Sequence, residues 1–274
     1  MLVCSKIDLW FEGSVKYLRA AGEHTLRESH SLTRHNYSTE RFLIGIASES
    51  NVLLKTLRLG DTSLLQFEAS SSAVERYCAQ HNLRIKKAED SIVGIDSIQV
   101  ALSEIIQPCT SLFAAVAELV WRCHILDTEC EDYDVSFSDP AIPFSIFVSV
   151  PARVDRRSVL RVAESLIHET MHLQLTLFEI CCPLVDQRSN WSMYSPWKQQ
   201  PRPAQGILHG LYVFHVLRWM WHQILQRTRI EMDHAFATRR IVEINDEISS
   251  VRAFEKSPAL TKEGNLFLEK LFGS

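Results

Sequence analysis

Apolar side chains recur every three or four residues along most of the chain, a spacing that is typical of helices with one buried face. Only nine glycines and nine prolines interrupt the 274 residues, so few turns are available for a large sheet. The spacing predicts helices over residues 14–26, 39–59, 72–83 and 110–126. We therefore expect a mainly α protein.

The pattern changes over residues 133–151, where the chain reads YDVSFSDPAIPFSIFVSVP. β-Branched and aromatic residues with Asp-Pro and Ile-Pro steps favour extended chain, so we expect one or two short strands around 133–150. This change also marks the one plausible domain boundary. We expect a helical N-terminal region over residues 1–130, with no assigned role, and a metal-binding catalytic region over 131–274. A single compact domain is the alternative.

Two long helices are expected after this boundary. Asp155 is placed to cap a helix that continues to a stop before Pro183. A polar linker over residues 186–203 separates it from a second long helix, which begins near Ala204. At least two further helices are expected between residues 230 and 272.

The first long helix contains the sequence IHETMH, in which His168 and His172 flank Glu169. Residues four apart project from one face of a helix, so both imidazoles can bind one metal ion, and Glu169 can reach a metal-bound water or a substrate. This H-E-x-x-H pattern is typical of zinc peptidases. However, one large peptidase class needs a glycine and a histidine where this chain has Leu175 and Phe178. The E-x-x-x-D spacing of the other large class does not follow Glu169.

A third ligand is expected from the second long helix. His209 stands 37 positions after His172, in the first turns of that helix and beside two glycines. His215 and His222 lie on another face of the helix and are reserve candidates. His209 could therefore enter the metal sphere or merely pack or cap the helix. As a third ligand it would complete, with His168 and His172, a metal site between the two long helices.

Three segments of the second half of the chain share a pattern. They read SDPAIPFSIFVSVP, IHETMH and, above all, SPWKQQPRPAQGILHGLYVF. Together they resemble the 2-oxoglutarate-dependent HExxH peptide β-hydroxylases, a family found beside ribosomally made, modified peptides. The family pattern S-P-W-[RK]-x-x-P-R-P-x-x-G-x-L-H-G-x-Y is matched by residues Ser195–Tyr212, and the likeness covers about residues 133–225.

The resemblance implies non-haem Fe(II), 2-oxoglutarate and O₂, and hydroxylation of a residue in a precursor peptide, with Cβ as the expected position. Three histidine ligands leave three positions of an octahedron for 2-oxoglutarate and oxygen, although a carboxylate is the usual third ligand. Arg202 is the candidate for binding the distal carboxylate of 2-oxoglutarate, with Lys198 as the alternative. In this scheme Glu169 orients a ligand or bridges to substrate.

Two other functions stay open. The first is an HExxH zinc metallopeptidase, in which His168 and His172 bind zinc and Glu169 activates water. The second is a non-catalytic peptide-binding scaffold with a structural metal.

Composition and charge narrow the expected partners and location. The chain is 46% hydrophobic and 23% charged, as in ordinary globular proteins, and its net charge is -4 without a basic run. We therefore expect neither nucleic acid nor membrane as a partner. The sequence shows no signal peptide and no membrane-spanning stretch, which indicates a cytoplasmic protein. Seven cysteines without a C-x-x-C motif are expected to be reduced thiols.

Overall fold

A computed structural model describes Leu18, Ala20 and residues 53–61, 63–69, 72–128, 134–139 and 144–273. Within these residues the chain forms seven α-helices and eight strands, so the expected mainly α fold with a small strand region is confirmed. The described residues belong to two compact units, one that extends to Gln174 and one from Leu175 onward. The helix expected over 14–26 lies outside them, apart from residues 18 and 20. The assignment of a catalytic region to residues 131–274 stays a prediction.

The first unit is built around a six-stranded mixed sheet. Its strands are β1 (Leu53–Leu59), β2 (Ser63–Glu68), β3 (Arg84–Ile85), β4 (Arg122–Asp127), β5 (Ser136–Phe137) and β6 (Ser145–Ser149). Their order is β1-β2-β4-β6-β5, with β3 paired to β4. β4 is parallel to β2 and β6, whereas β5 is antiparallel to β6. β5 and β6 confirm the strands expected around 133–150.

Four helices contribute to the first unit. They are α1 (Ser72–Gln80), α2 (Ala88–Val100), α3 (Thr110–Leu119) and the first part of α4 (Arg156–Cys181). α1 confirms the helix expected over 72–83. Asp155 caps α4 as predicted, because its Oδ1 accepts the backbone N–H of Ser158 at 2.8 Å. α4 ends before Pro183, also as predicted, and its last residues belong to the second unit.

Two helix predictions are wrong in part. The described end of the 39–59 segment forms β1, and Gly60, with a φ of 68°, turns the chain into β2. The 110–126 segment is helical only to Leu119 and then forms β4. The residues Cys123–Leu126 are all buried, and a fully buried strand shows the same continuous apolar pattern as a buried helix.

The two faces of β5 serve different layers of the first unit. Phe137 pairs in register with Phe147, and both rings pack against the buried cluster of α1. Successive strand residues point to opposite faces, so Ser136 and Ser138 point to the other face. α4 lies on that face, because its Glu169 contacts both serines. The strand thus connects the helix of the H-E-x-x-H motif to the sheet.

A buried histidine lies in the middle of the sheet. His124 of β4 is 4% exposed, and its ring stacks on Phe147 with the centroids 4.7 Å apart. Burial, together with the charge of Arg122, lowers the pKa of His124 to about 4. The ring is therefore neutral near pH 7.

The second unit contains the end of α4, a β-hairpin and three further helices. The hairpin consists of β7 (Ser192–Ser195) and β8 (Gln200–Pro203), and the helices are α5 (Ala204–Arg227), α6 (Glu231–Ser250) and α7 (Lys262–Gly273). α5 begins at the predicted residue, and α6 and α7 confirm the helices expected between 230 and 272. The linker expected over 186–203 is wrong in part, because its second half is the hairpin. Across the described ranges, none of the helices combines the length and apolar character that crossing a membrane requires.

Candidate metal centre

His168 and His172 lie one turn apart on α4, as the sequence predicts. Their Nε2 atoms are 3.2 Å apart, and their ring planes are inclined at 62°. Two nitrogens bound to one metal at about 2.1 Å, with an angle of about 90° to 110° at the metal, lie about 3.0 to 3.4 Å apart. The two imidazoles therefore stand at the separation that two ligands of one metal ion require.

The two histidines belong to a narrow polar stripe along α4. Arg161, Glu164, His168 and His172 are half-buried at three- and four-residue spacing, whereas every residue between them is buried. A helix enclosed on its other sides is held firmly by apolar packing. This part of α4 therefore presents the histidine pair on its one accessible face.

Glu169 is directed toward the sheet. It is 3% exposed, and its two carboxylate oxygens accept hydrogen bonds from different hydroxyls, Oε1 from Ser136 and Oε2 from Ser138, each at 2.6 Å. A buried carboxylate needs such partners, because burial removes its hydration. Oε1 lies 3.9 Å from Nε2 of His168, which is beyond hydrogen-bonding distance. Glu169 therefore joins α4 to the β5 segment, whatever else it does.

His209, the predicted third ligand, pairs with a carboxylate of the second unit. Its Nε2 lies 2.7 Å from Oε2 of Glu179, and the two side chains are only 15% and 13% exposed. Gln205 donates to the same carboxylate oxygen at 3.2 Å. A metal-binding histidine commonly has a carboxylate on its other ring nitrogen. The Glu179 carboxylate therefore holds Nε2 of His209 and restricts the orientation of its ring.

The described residues contain no group of three or more His, Cys, Asp or Glu side chains arranged to hold a metal ion. The structure brings His168 close to His172, and it brings His209 close to Glu179. The assignment of His209 as the third ligand stays a prediction.

Packing contacts explain why several residues occur where they do in the segment Ser195–Tyr212, which carries the family resemblance. Trp197, in the hairpin turn, lies across Gly210 of α5, where any side chain would overlap its ring. The Trp197 ring stacks on Phe214 with centroids 5.1 Å apart, and its Nε1 donates to Glu247 at 3.1 Å. These contacts hold the hairpin against α5 and α6, so the tryptophan and the glycine are required by the fold.

The two candidate carboxylate anchors differ in their surroundings. Arg202 is half-buried, and its side chain lies over Gly206, where an added Cβ would be 3.1 Å from the arginine Nε. Among the described residues its guanidinium has no hydrogen-bond or ion-pair partner. Lys198 is exposed in the hairpin turn, where solvent screens its charge. The environment favours Arg202 over Lys198 as the residue that binds an anion.

The reserve candidates on α5 have other surroundings. His215 is 4% exposed, and its Nδ1 accepts a hydrogen bond from Arg218 at 3.1 Å. Burial and the charge of Arg218 lower the pKa of His215 to about 3. His222 is exposed. His215 is thus a neutral core residue, and within the described part of the chain neither histidine belongs to a group of three or more residues that could hold a metal ion.

Three partners of the candidate site residues are not predicted from the sequence. Ser136 and Ser138 carry a weak signal, because their alternation with Phe137 puts two hydroxyls on one strand face. Glu179 carries a clearer signal. It is the only Asp, Glu, Lys or Arg in the stretch TMHLQLTLFEIC, and a carboxylate in an apolar helix needs a partner. The sequence does not identify those partners, because they lie 30 or more residues away.

No family model matches the chain, and no curated protein matches it. The resemblance to the HExxH peptide β-hydroxylases therefore stays a prediction.

Proposed function

We propose that the protein is a non-haem Fe(II)- and 2-oxoglutarate-dependent oxygenase that hydroxylates a residue of a ribosomally made precursor peptide, at Cβ. The observation that carries this proposal is the 3.2 Å separation of the two Nε2 atoms on α4, which suits two ligands of one metal ion. The residue pattern of Ser195–Tyr212 supports the choice of this family over other metalloproteins that contain H-E-x-x-H.

The surroundings of Glu169 favour an oxygenase over a peptidase. In a zinc peptidase this carboxylate activates the attacking water, so it needs an oxygen directed at the metal. Here both oxygens accept serine hydroxyls from the sheet side. An oxygenase does not need a water-activating carboxylate at this position, so its engagement with the sheet is compatible with that reaction.

Each protein group has a defined task in the proposed reaction. His168 and His172 bind the metal, and His209, which pairs with the Glu179 carboxylate, is the proposed third ligand. Arg202 binds the distal carboxylate of 2-oxoglutarate, since a guanidinium pairs with a carboxylate through two hydrogen bonds. When bound, Fe(II) with 2-oxoglutarate and O₂ supplies the oxidation that converts C–H to C–OH, and 2-oxoglutarate leaves as succinate and CO₂.

The test is an anaerobic titration of the full chain with Fe(II) and then 2-oxoglutarate. The proposal expects a visible charge-transfer absorption that needs both components and is absent in His168→Ala. An absorption that never develops, combined with peptide hydrolysis in the presence of Zn²⁺, would establish the peptidase instead.

Substitution of Glu169 by glutamine separates the same two functions. We expect Glu169→Gln to retain iron binding and the turnover of 2-oxoglutarate without peptide, because neither requires a base at this position. Iron content and succinate formation are the measurements. A proteolytic activity that requires Zn²⁺ and disappears in Glu169→Gln would contradict the oxygenase proposal.

A further inference from the structure

We propose that Ser136 and Ser138 are positioning residues of the metal centre, which act through Glu169 to fix the place of His168 and His172. This inference rests on the metal pair of the proposed function and assigns a task to one residue of β5 and to the serine that directly follows this strand. In it, Glu169 is the anchor of the metal-binding helix.

The spacing of the two serines matches a single carboxylate. Residues i and i+2 of a strand point to the same face and lie about 6.6 Å apart along it. A carboxylate placed between them can accept one hydroxyl on each oxygen, as Glu169 does at 2.6 Å on both sides. If only one oxygen of Glu169 were hydrogen-bonded to one serine, the Glu169 side chain could still rotate about its own bonds. Two contacts from a strand fix the plane and the direction of the carboxylate.

Fixing Glu169 also fixes the rotation of α4 about its axis. Each helical residue turns by about 100°, so the direction of Glu169 determines where its neighbour His168 and the next-turn His172 point. A second contact holds the same helix, because Nε of Arg161 donates to Asp134 at 2.8 Å. Arg161 and Glu169 are eight residues, about 12 Å, apart on α4. The segment 134–138 therefore holds α4 at two points, one of which adjoins the histidine pair.

The ligand atoms tolerate little displacement. The Nε2 separation of 3.2 Å lies within the narrow range set by one metal ion. Both histidines are on α4, so rotation of this helix moves the pair as a whole and displaces a bound ion from its other ligands. Residues that orient metal ligands from outside the coordination sphere typically change metal affinity by about 10- to 100-fold when they are removed. The serine pair is expected to act with an effect of this size.

The experiment measures Co²⁺ affinity and Co²⁺ visible absorption in the full chain, with thermal unfolding of each metal-free variant recorded separately. We expect the double variant Ser136→Ala/Ser138→Ala to bind Co²⁺ about 10- to 100-fold more weakly, with an altered spectrum. The double variant Ser136→Thr/Ser138→Thr keeps both hydroxyls and should restore affinity to within about 3-fold of the original chain. Ser138→Ala alone serves as the test if the double alanine variant does not fold.

Two controls complete the design. Ser145→Ala removes a buried serine of the neighbouring strand whose Oγ has no hydrogen-bond partner among the residues that the structure describes, so Co²⁺ affinity should not change. Glu169→Gln should also keep affinity close to that of the original chain, because its carbonyl can accept from one serine and its NH₂ can donate to the other.

The outcomes separate this inference from the proposed function. If the alanine variants are less stable yet bind Co²⁺ with unchanged affinity and spectrum, the serines are only structural and the inference is overturned. If threonine fails to restore affinity where alanine has reduced it, the hydroxyls are not responsible, which also overturns it. If His168→Ala itself binds Co²⁺ normally, the metal pair of the proposed function is wrong.

Discussion

Two features stand out in the sequence, the histidine pair of α4 and the segment Ser195–Tyr212. Their side chains have different roles. Trp197 and Gly210 of the hairpin region complete each other by packing. His168 and His172 occupy the accessible stripe of an otherwise buried helix, with their Nε2 atoms 3.2 Å apart. A recognisable motif can therefore consist largely of residues that the fold requires for packing. The chemistry of the protein has to be inferred from the side chains that packing does not explain.

The largest effect is expected from removal of the proposed metal ligands. His168→Ala and His172→Ala should each lose bound iron almost completely, because one imidazole on this helix cannot hold the ion alone. We expect His209→Ala to lose iron as well, and His215→Ala to keep it, since His215 already accepts a hydrogen bond from Arg218. Bound iron per protein molecule is the measurement. Normal iron content in His209→Ala, with loss of iron in His215→Ala, would identify His215 as the third ligand in place of His209.

A large effect on the co-substrate is expected from Arg202, the part of the hairpin that packing explains least. Loss of a partly desolvated, bidentate ion pair costs about 2 to 4 kcal/mol, so Arg202→Ala should weaken 2-oxoglutarate roughly 30- to 1000-fold while Fe(II) affinity stays nearly constant. Arg202→Lys should recover only part of this loss. Titration of 2-oxoglutarate into the iron-loaded variants measures both.

Lys198→Ala is the matched control for that titration, because Lys198 is exposed in the same hairpin. An unchanged dissociation constant in Arg202→Ala, with a weaker one in Lys198→Ala, would move the anchor to the lysine.

A smaller effect, on stability alone, is expected at Gly210. The added methyl group would overlap the ring of Trp197, so Gly210→Ala should lower the free energy of unfolding by about 1 to 3 kcal/mol. Denaturant unfolding measures the change. The iron content of the folded fraction should stay normal, since no predicted ligand moves. Loss of iron without loss of stability would show that this region serves the metal directly.

The smallest effect is expected at Gly206, the second glycine of the same helix. Its added methyl group would meet the flexible side chain of Arg202 at 3.1 Å, which can shift at little cost. Alanine also favours a helix over glycine by about 1 kcal/mol. Gly206→Ala should therefore leave the free energy of unfolding within about 1 kcal/mol of the original value, and a loss as large as that of Gly210→Ala would contradict this distinction.

Local signals made part of the fold predictable. Asp155 and Pro183 delimit α4, and both act through contacts or restrictions within a few residues. β4 was missed because burial on both faces removes the alternation by which a strand is recognised. The hairpin β7–β8 is not predicted because each strand has only four residues and β8 contains two prolines.

In the candidate site, too, only the arrangement of residues within one helix is predictable from the sequence. The spacing of His168 and His172 is a property of one helix, so their approach was predicted and is observed. The serines on Glu169 and the carboxylate on His209 come from segments about 30 residues away, and sequence spacing carries no information about such pairings. Distant contacts of this kind decide what a motif residue can still do.

Because the rings of His124 and His215 are buried and neutral, acid is expected to lower the free energy of unfolding of this protein. In the unfolded chain both rings take up a proton near pH 6.5, whereas burial lowers their folded pKa values to about 4 and about 3. Their contribution to the free energy of unfolding is therefore complete above pH 6.5 and declines as the pH falls toward those values, by at most roughly 1.4 kcal/mol per pH unit for each ring. Unfolding midpoints recorded at pH 7.5 and pH 5 should differ accordingly, and neutral buffers are the conditions under which the folded protein persists longest.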